Sequence, residues 1–318
     1  MCLNVLQLIK KRLIQLVFVL FILSLIIFIL MKLAPGDPVL TLLHADEMSI
    51  TQADEAALRE ELGFDQPVLM QYGQWMLGLM QLDLGTSYLK GRPVLDELLD
   101  KLPATIQLTA SGLVVMVAIA LPLGLVASRY PNRWPDHVSR ILALIGASIP
   151  SFWMGLLLIY LFSLKLGWLP TSGKGSFAHM ILPSITLGFA MAAVYARLLR
   201  SGLLDSLSQD YIKAARARGL AERRILMGHA LRAALLPVIT VFGVSFGNLL
   251  AGSVVIETLF AWPGLGSLAL EAIFERDYPI IQGYVLATGL FVVIVNLLVD
   301  LSYSLLDPRI RLGKGAAS

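Results

Sequence analysis

A single cysteine, Cys2, stands in the whole sequence, so no disulfide can close within the chain and no site built on several thiolates can form. Charge is scarce too: Asp, Glu, Lys and Arg make up 15% of the residues, against roughly 25% in an ordinary soluble domain. There is no Gly-rich phosphate loop with its Lys-Ser/Thr, no His-Glu-x-x-His and no serine nucleophile elbow, the usual marks of nucleotide, metalloprotease and acyl-transfer chemistry. The four histidines, His44, His137, His179 and His229, are dispersed, whereas metal ligation needs clustered ligands. We therefore expect neither an enzyme nor a metal or cofactor held by this chain.

What the sequence has in place of charge is apolar length. Hydrophobic residues form 57% of the chain and mean hydropathy is +0.76, more than a soluble core can bury. About 20 apolar residues cross a hydrocarbon layer of about 30 Å. The first such run, 13–31, follows Lys10, Lys11 and Arg12. It is too long for a cleaved export signal and no small-residue cleavage site follows it, so it reads as a retained transmembrane helix. Pro35 and Pro38 stop it. Further spans are expected over 105–128, over 141–164 with a kink at Ile149-Pro150-Ser151, over 179–199, over 236–260 and over 283–303, six in all. An outer loop, 262–282, has room to dip back into the membrane.

The net charge of +3 does not mean nucleic acid, because the basic residues sit between spans. Arg129, Arg133 and Arg140 fill one short loop, and Arg200, Lys213, Arg216, Arg218, Arg223, Arg224 and Arg232 fill the longer one. Such loops stay in the cytoplasm, which puts both termini there. The stretch 34–104 carries twelve acids against four bases and an amphipathic piece at 53–62, and is expected outside the bilayer on its outer face. The organisation is then a first helix (1–33), an outer region (34–104), a five-helix core (105–306) containing the cytoplasmic loop 200–235, and a cytoplasmic tail (307–318).

Polar residues inside spans are candidates to line a path, although Ser, Thr and Asn more often bond a neighbouring helix. Ser245, Asn248 and Ser253 lie beside Gly243, Gly247 and Gly252 and lead; Glu257 and Asn296 follow. Asp300 reads as a residue near the inner interface. A secondary transporter needs membrane-embedded acids for ion coupling, and the span midpoints offer almost none. With no ATP-binding motif, energy for uphill transport has to come from a partner acting on the cytoplasmic loop. There, Asp210 to Leu220 reads as an Ala-rich helix stopped by Gly219 at a C-cap. Ala214 and Ala215 are expected exposed, to seat in a groove between subdomains of a partner, with arginines on its acidic rim. The alternative is an amphipathic helix lying on anionic lipid.

The spacing of Lys213-Ala214-Ala215 to Gly219 resembles the cytoplasmic signature of ABC importer permeases, Glu-Ala-Ala, three residues, Gly, with Lys213 in place of the glutamate. Leu33-Ala34-Pro35-Gly36-Asp37-Pro38, Leu62-Gly63-Phe64-Asp65-Gln66-Pro67, Asp83-Leu84-Gly85-Thr86-Ser87, Arg276-Asp277-Tyr278-Pro279 and Asp307-Pro308-Arg309-Ile310-Arg311 extend that resemblance over nearly the whole chain, to the first permease subunit of dipeptide, oligopeptide, glutathione or nickel importers. The resemblance implies the all-α type I importer permease fold in the bacterial inner membrane. It also implies a second, similar permease, two cytoplasmic ATPases that carry the ATP and Mg, and a periplasmic binding protein. Coupling would run through Asp205, Tyr211, Lys213, Ala214, Ala215, Arg218 and Gly219, and transport by alternating access. Between nickel, as ion or chelate, and peptides, the similarity leans slightly to nickel. An ion-coupled transporter or a membrane scaffold without transport is the competing reading.

Overall fold

The computed structural model describes residues 2–34, 39, 56–57, 59–60, 63 and 65–306, with the side chains of 2–9, 11, 243–244, 248 and 301–306 outside the description. The motif residues Pro35 to Pro38, Leu62, Phe64 and Asp307 to Arg311, His44, and the tail 307–318 lie outside the described residues. Every named element is a helix. Among the described residues, five helical stretches are long and apolar enough to cross a membrane, six if one bent pair counts as a single span. The chain divides into two compact units, Met1–Thr105 with Pro263–Val293, and Ile106–Trp262 with Ile294–Ser318.

In the first unit, α1 (Cys2–Leu33) contains the span Arg12–Leu33, close to the expected 13–31. The expected outer region holds α2 (Val68–Met80) and the beginning of α3 (Val94–Arg129). The expected loop 262–282 holds a helix, α10 (Leu265–Glu275), before α11 (Tyr278–Leu306). Arg276 takes the left-handed conformation, φ 59°, that ends α10. The core is Ile27, Val94, Leu98, Leu265, Leu268, Ala272, Ile280 and Ile281, with Trp75 and Leu84 against it. Between Asp83 and Val94 the chain folds into a tight loop, with a bridge from Thr86 to Pro93. Buried Asp277 accepts hydrogen bonds from the Ser87 hydroxyl and the Tyr88 amide, so two of the motif stretches meet.

In the second unit, α4 (Trp134–Ser148) and α5 (Ser151–Leu158), which runs on through wide turns over Ile159–Lys165, form the bent pair. The bend is 104° and falls at the expected Ile149-Pro150, where proline brings no N–H and its ring crowds the preceding turn. Then come α6 (Phe177–Leu207), α7 (Asp210–Ala217), α8 (Glu222–Arg224) and, after wide turns over Ile225–Ala230, α9 (Leu231–Leu259). The Ser176 hydroxyl and the His179 ring cap α6 reciprocally, which gives that histidine a structural task. Small residues set how closely α3 and α6 approach: a Cβ on Gly188 would meet the Gly112 carbonyl, and Leu187 and Leu199 fill the places left by Gly112 and Gly124. The long basic loop, expected in the cytoplasm, is more helical than its polarity suggests. The α6 helix runs eight residues past Leu199, α7 begins at Asp210 and the next helix at Glu222, so only 208–209 and 218–221 lie between helices.

Candidate functional site

The residues proposed to meet a partner are carried by α7 and the ends of the helices around it. One face of α7 is apolar: Ile212 and Ala215 are buried, at 0% and 6% exposure, against Leu199, Leu203, Ile225, Ala230 and Ala234. This corrects the expectation for Ala215. Successive helical residues are turned by about 100°, so Ala214 and Ala215 cannot share an outward face; the pair that does is Ala214 and Ala217, both exposed. Around them Lys213 and Arg218 are also exposed. Lys213 bonds Asp210 at 2.8 Å, a solvated surface pair that contributes little to stability.

Three devices hold α7 in place. Its C-terminus closes with the Leu220 amide donating to the Ala215 carbonyl and the Gly219 amide to Arg216, the paired bonds of a glycine C-cap. Gly219 sits at φ +77° with no atom near a would-be Cβ, so the conformation, and not lack of room, demands glycine. Arg216 donates to Glu222 at 2.7 Å through Nε and 3.3 Å through Nη2, and Arg129 at the end of α3 stands 3.5 Å from the same carboxylate. The bond to Glu222 raises the Arg216 pKa and keeps its charge fixed. At the other end, the Tyr211 hydroxyl bonds buried Ser206, while Asp205, in the last turn of α6, is exposed.

A second cluster was not evident from sequence. Asp136, fully buried, receives Arg200 bidentately, Nε at 2.6 Å and Nη2 at 2.7 Å. It also accepts from Arg140 at 3.0 Å and from the Asn132 amide at 2.8 Å. The first turn of α4 is thereby fastened to α6 about two turns before α6 ends. Arg140 and Arg200 had been read only as positive charges on the inner side. The available signal was Asp136 itself, the one acid between Arg129 and Arg140 and four residues from the latter, the spacing of a helical ion pair.

The path candidates lie on two helices, Ser245, Asn248, Ser253 and Glu257 on α9 and Asn296 on α11. The Asn248 side chain is outside the described residues. Ser245 and Asn296 are half-buried, but Ser253, at 2% exposure, donates to its own helix at the Leu250 carbonyl, 2.7 Å, and Glu257 is fully enclosed. Neither buried position presents itself to a water-filled path in this conformation. A residue missed from sequence joins Ser245: Tyr195 of α6, at 3% exposure, whose hydroxyl approaches Ser245 without completing a well-formed hydrogen bond. Its ring begins an aromatic row with Phe242 and Phe246, centroids 6.5 and 6.0 Å apart. Among the described residues no group of His, Cys, Asp and Glu is arranged to hold a metal ion.

Comparison with known proteins places this geometry. Residues 120–312 match the family described as binding-protein-dependent transport system inner membrane component, and residues 5–109 match its N-terminal counterpart. The glutathione transport system permease protein of Escherichia coli strain K12 is 43% identical over 301 residues, covering 95% of this chain and 97% of that protein. Its namesake from Salmonella typhi is 42% identical over 303 residues, with the same coverage. Among solved structures, inward-facing forms of the MetNI methionine ABC transporter align with TM-scores of 0.53 and 0.52 at 20% and 18% identity, over 66% of this chain and 96% of theirs, a likeness of fold alone. The chain belongs to the binding-protein-dependent transport system inner membrane components, the multi-pass permease subunits of ABC importers.

Proposed function

We propose that this permease works with a second, similar permease, two cytoplasmic ATPases and a periplasmic binding protein, and that α7 is where the ATPases push. The observation that supports the reading is the division of α7 into a packed face, Ile212 and Ala215, and an outward face of Ala214, Ala217, Lys213 and Arg218. Small side chains let a partner's backbone come close, and the flanking cations suit an acidic rim. Anchored at Gly219 and through Arg216–Glu222–Arg129, the helix passes a push to α6 and α3 as a rigid lever. The Asp136–Arg200 pair extends the lever to α4. ATP and Mg belong to the partners and both termini lie in the cytoplasm. The reorientation of the helices opens the site alternately to each side.

For the cargo we propose a short peptide of the glutathione class. Support comes from relatives that bear that name over nearly their full length, and that similarity outweighs the slight lean of the sequence towards nickel. Ser245 and Asn296, both half-buried, are the positions proposed to border the path. The test is purification of the tagged chain, expressed from its native locus, in mild detergent, followed by reconstitution and ATP-driven uptake of labelled glutathione, a dipeptide and nickel. Recovery of a second permease and ATPases, with glutathione or dipeptide uptake, is expected. A solitary chain, with dissociation excluded by cross-linking, overturns the assembly; uptake of nickel alone overturns the cargo.

A further inference from the structure

The outer region 34–104 is expected outside the bilayer, yet α2 within it is uncharged and largely apolar. Its residues have no charge at all: from Gln66 to Leu82, between Asp65 and Asp83, every side chain is neutral. It packs on α1 deep within the most apolar span of the chain, whose mean hydropathy is 3.2. The Tyr72 hydroxyl is 3.0 Å from that of buried Ser24, and the Phe28 ring meets Tyr72 edge-on at 5.2 Å and stacks on Trp75 at 5.9 Å. At a rise of about 1.5 Å per residue, Ser24 lies roughly 14 Å from the Leu33 end of the span and roughly 18 Å from Arg12. That is near the middle of a hydrocarbon layer of about 30 Å. The adjacent Gln71 accepts from Lys32, close to the Leu33 end, so the contacts of α2 run along α1 from Lys32 inward to Ser24.

The other face of α2 is bare and apolar, with Leu69 at 86%, Met70 at 53%, Leu77 at 61% and Met80 at 77% exposure. The helix it packs on is bare and apolar as well, at Phe18, Leu25 and Ile29. Thirteen helical residues extend about 20 Å, too short to cross. Because a helix satisfies its own backbone, it is a form that lipid tolerates, and the exposed ends are closed locally, Met70 and Gln71 amides on Pro67 and Gln81 and Asp83 amides on Gly78. We infer that α2 is a half-membrane helix, lying within one leaflet beside α1, with Leu69, Met70, Leu77 and Met80 against lipid acyl chains and Asp65 and Asp83 marking its return to water. Two observations carry the identity of the occupant: the place of the contacts, at Ser24 and Phe28 within the span of α1, and the apolar side chains that both helices leave exposed. The inference is independent of the cargo and of the coupling site.

The test uses the single cysteine to advantage. In a Cys2→Ser background, nitroxide labels at Leu69→Cys and Leu77→Cys, in the full importer reconstituted in phospholipid vesicles, are compared by power saturation with oxygen and with a water-soluble nickel chelate. Phe18→Cys on α1 is the lipid reference and Asp100→Cys, 60% exposed, the water reference. Both α2 labels should collide with oxygen more than with chelate, like Phe18 and opposite to Asp100. Chelate collisions matching Asp100 would put α2 in water and overturn the inference. Low access to both reagents would mean that another protein chain covers the face, and would overturn it equally. Both positions are exposed, so a label costs little stability, and agreement between the two guards against disturbance at either.

Discussion

Replacing Ala214 or Ala215 by leucine separates two faces of one helix that the sequence cannot separate. Ala214 is exposed, and leucine is nearly as good a helix former as alanine, so Ala214→Leu should leave the fold within about 0.5 kcal/mol of the parent. Ala215 is 6% exposed and enclosed by Ile212, Leu199, Leu203 and Ile225. Adding three carbons there overfills a packed site and should cost about 1–3 kcal/mol. Thermal unfolding of the purified chain in detergent reads the fold; ATP-driven uptake and ATPase retention read the coupling. Ala214→Leu, and likewise Ala217→Leu, should unfold with the parent yet lose retention and uptake, because the added side chains stand where a partner must approach closely. Ala215→Leu should unfold earlier. Parental uptake and ATPase retention in both Ala214→Leu and Ala217→Leu would refute the outward face as the docking surface, and an unchanged unfolding temperature for Ala215→Leu would refute the packing.

Four more outcomes follow from the same geometry. Asp136→Asn leaves Arg200 and Arg140 without their carboxylate; losing one partner of a buried pair costs about 3–5 kcal/mol, and because Arg200 keeps 20% and Arg140 49% exposure water recovers part of it, so a loss of about 1–3 kcal/mol in unfolding measurements is expected. Gly219→Ala should cost about 1 kcal/mol through its positive φ, and Gly219→Pro more, since it also removes the amide bond to Arg216; equal unfolding of the two variants would count against the C-cap. At Gly188, alanine would press on the Gly112 carbonyl and Val115, and a shift of α3 against α6 should appear as lowered thermal stability of about 1–3 kcal/mol. Burial, together with the nearby Asp277 and Tyr278, raises the Tyr88 pKa to about 12 from 10.0. The neutral phenol is therefore favoured in the folded state, and stability should be flat with pH below 10 and fall between 10 and 12; Tyr88→Phe should remove that fall when unfolding is followed across the range.

The spans expected over 13–31, 105–128, 179–199 and 283–303 were legible because crossing a membrane is a requirement on length and composition, both of which are local. The kink at Ile149-Pro150 and the cap at Gly219 were legible for the same reason, since proline and glycine act on their own backbone. The fifth span, expected over 236–260, instead falls at Glu222–Phe242, because helix continues back through the polar stretch before Leu231. The motif residues Ser87 and Asp277 were recognisable, but their hydrogen bond joins positions far apart in the chain and no local pattern announces it. The direction in which α7 faces was misread at Ala215 because a two-residue motif says nothing about helical phase until a neighbour, here Ile225 and Leu203, takes one side.

By itself the sequence determined the solvent of this protein, its all-helical class and the places of most of its spans, because hydrophobic length, proline and glycine act within a few residues of where they occur. Only the tertiary structure decided which alanines face outward, that Asp136 gathers Arg140 and Arg200, that Ser253 bonds its own helix, and that Tyr72 of an uncharged helix reaches Ser24 of α1. Each of these depends on which helices become neighbours, a choice made by packing across the whole chain and absent from any short stretch of it.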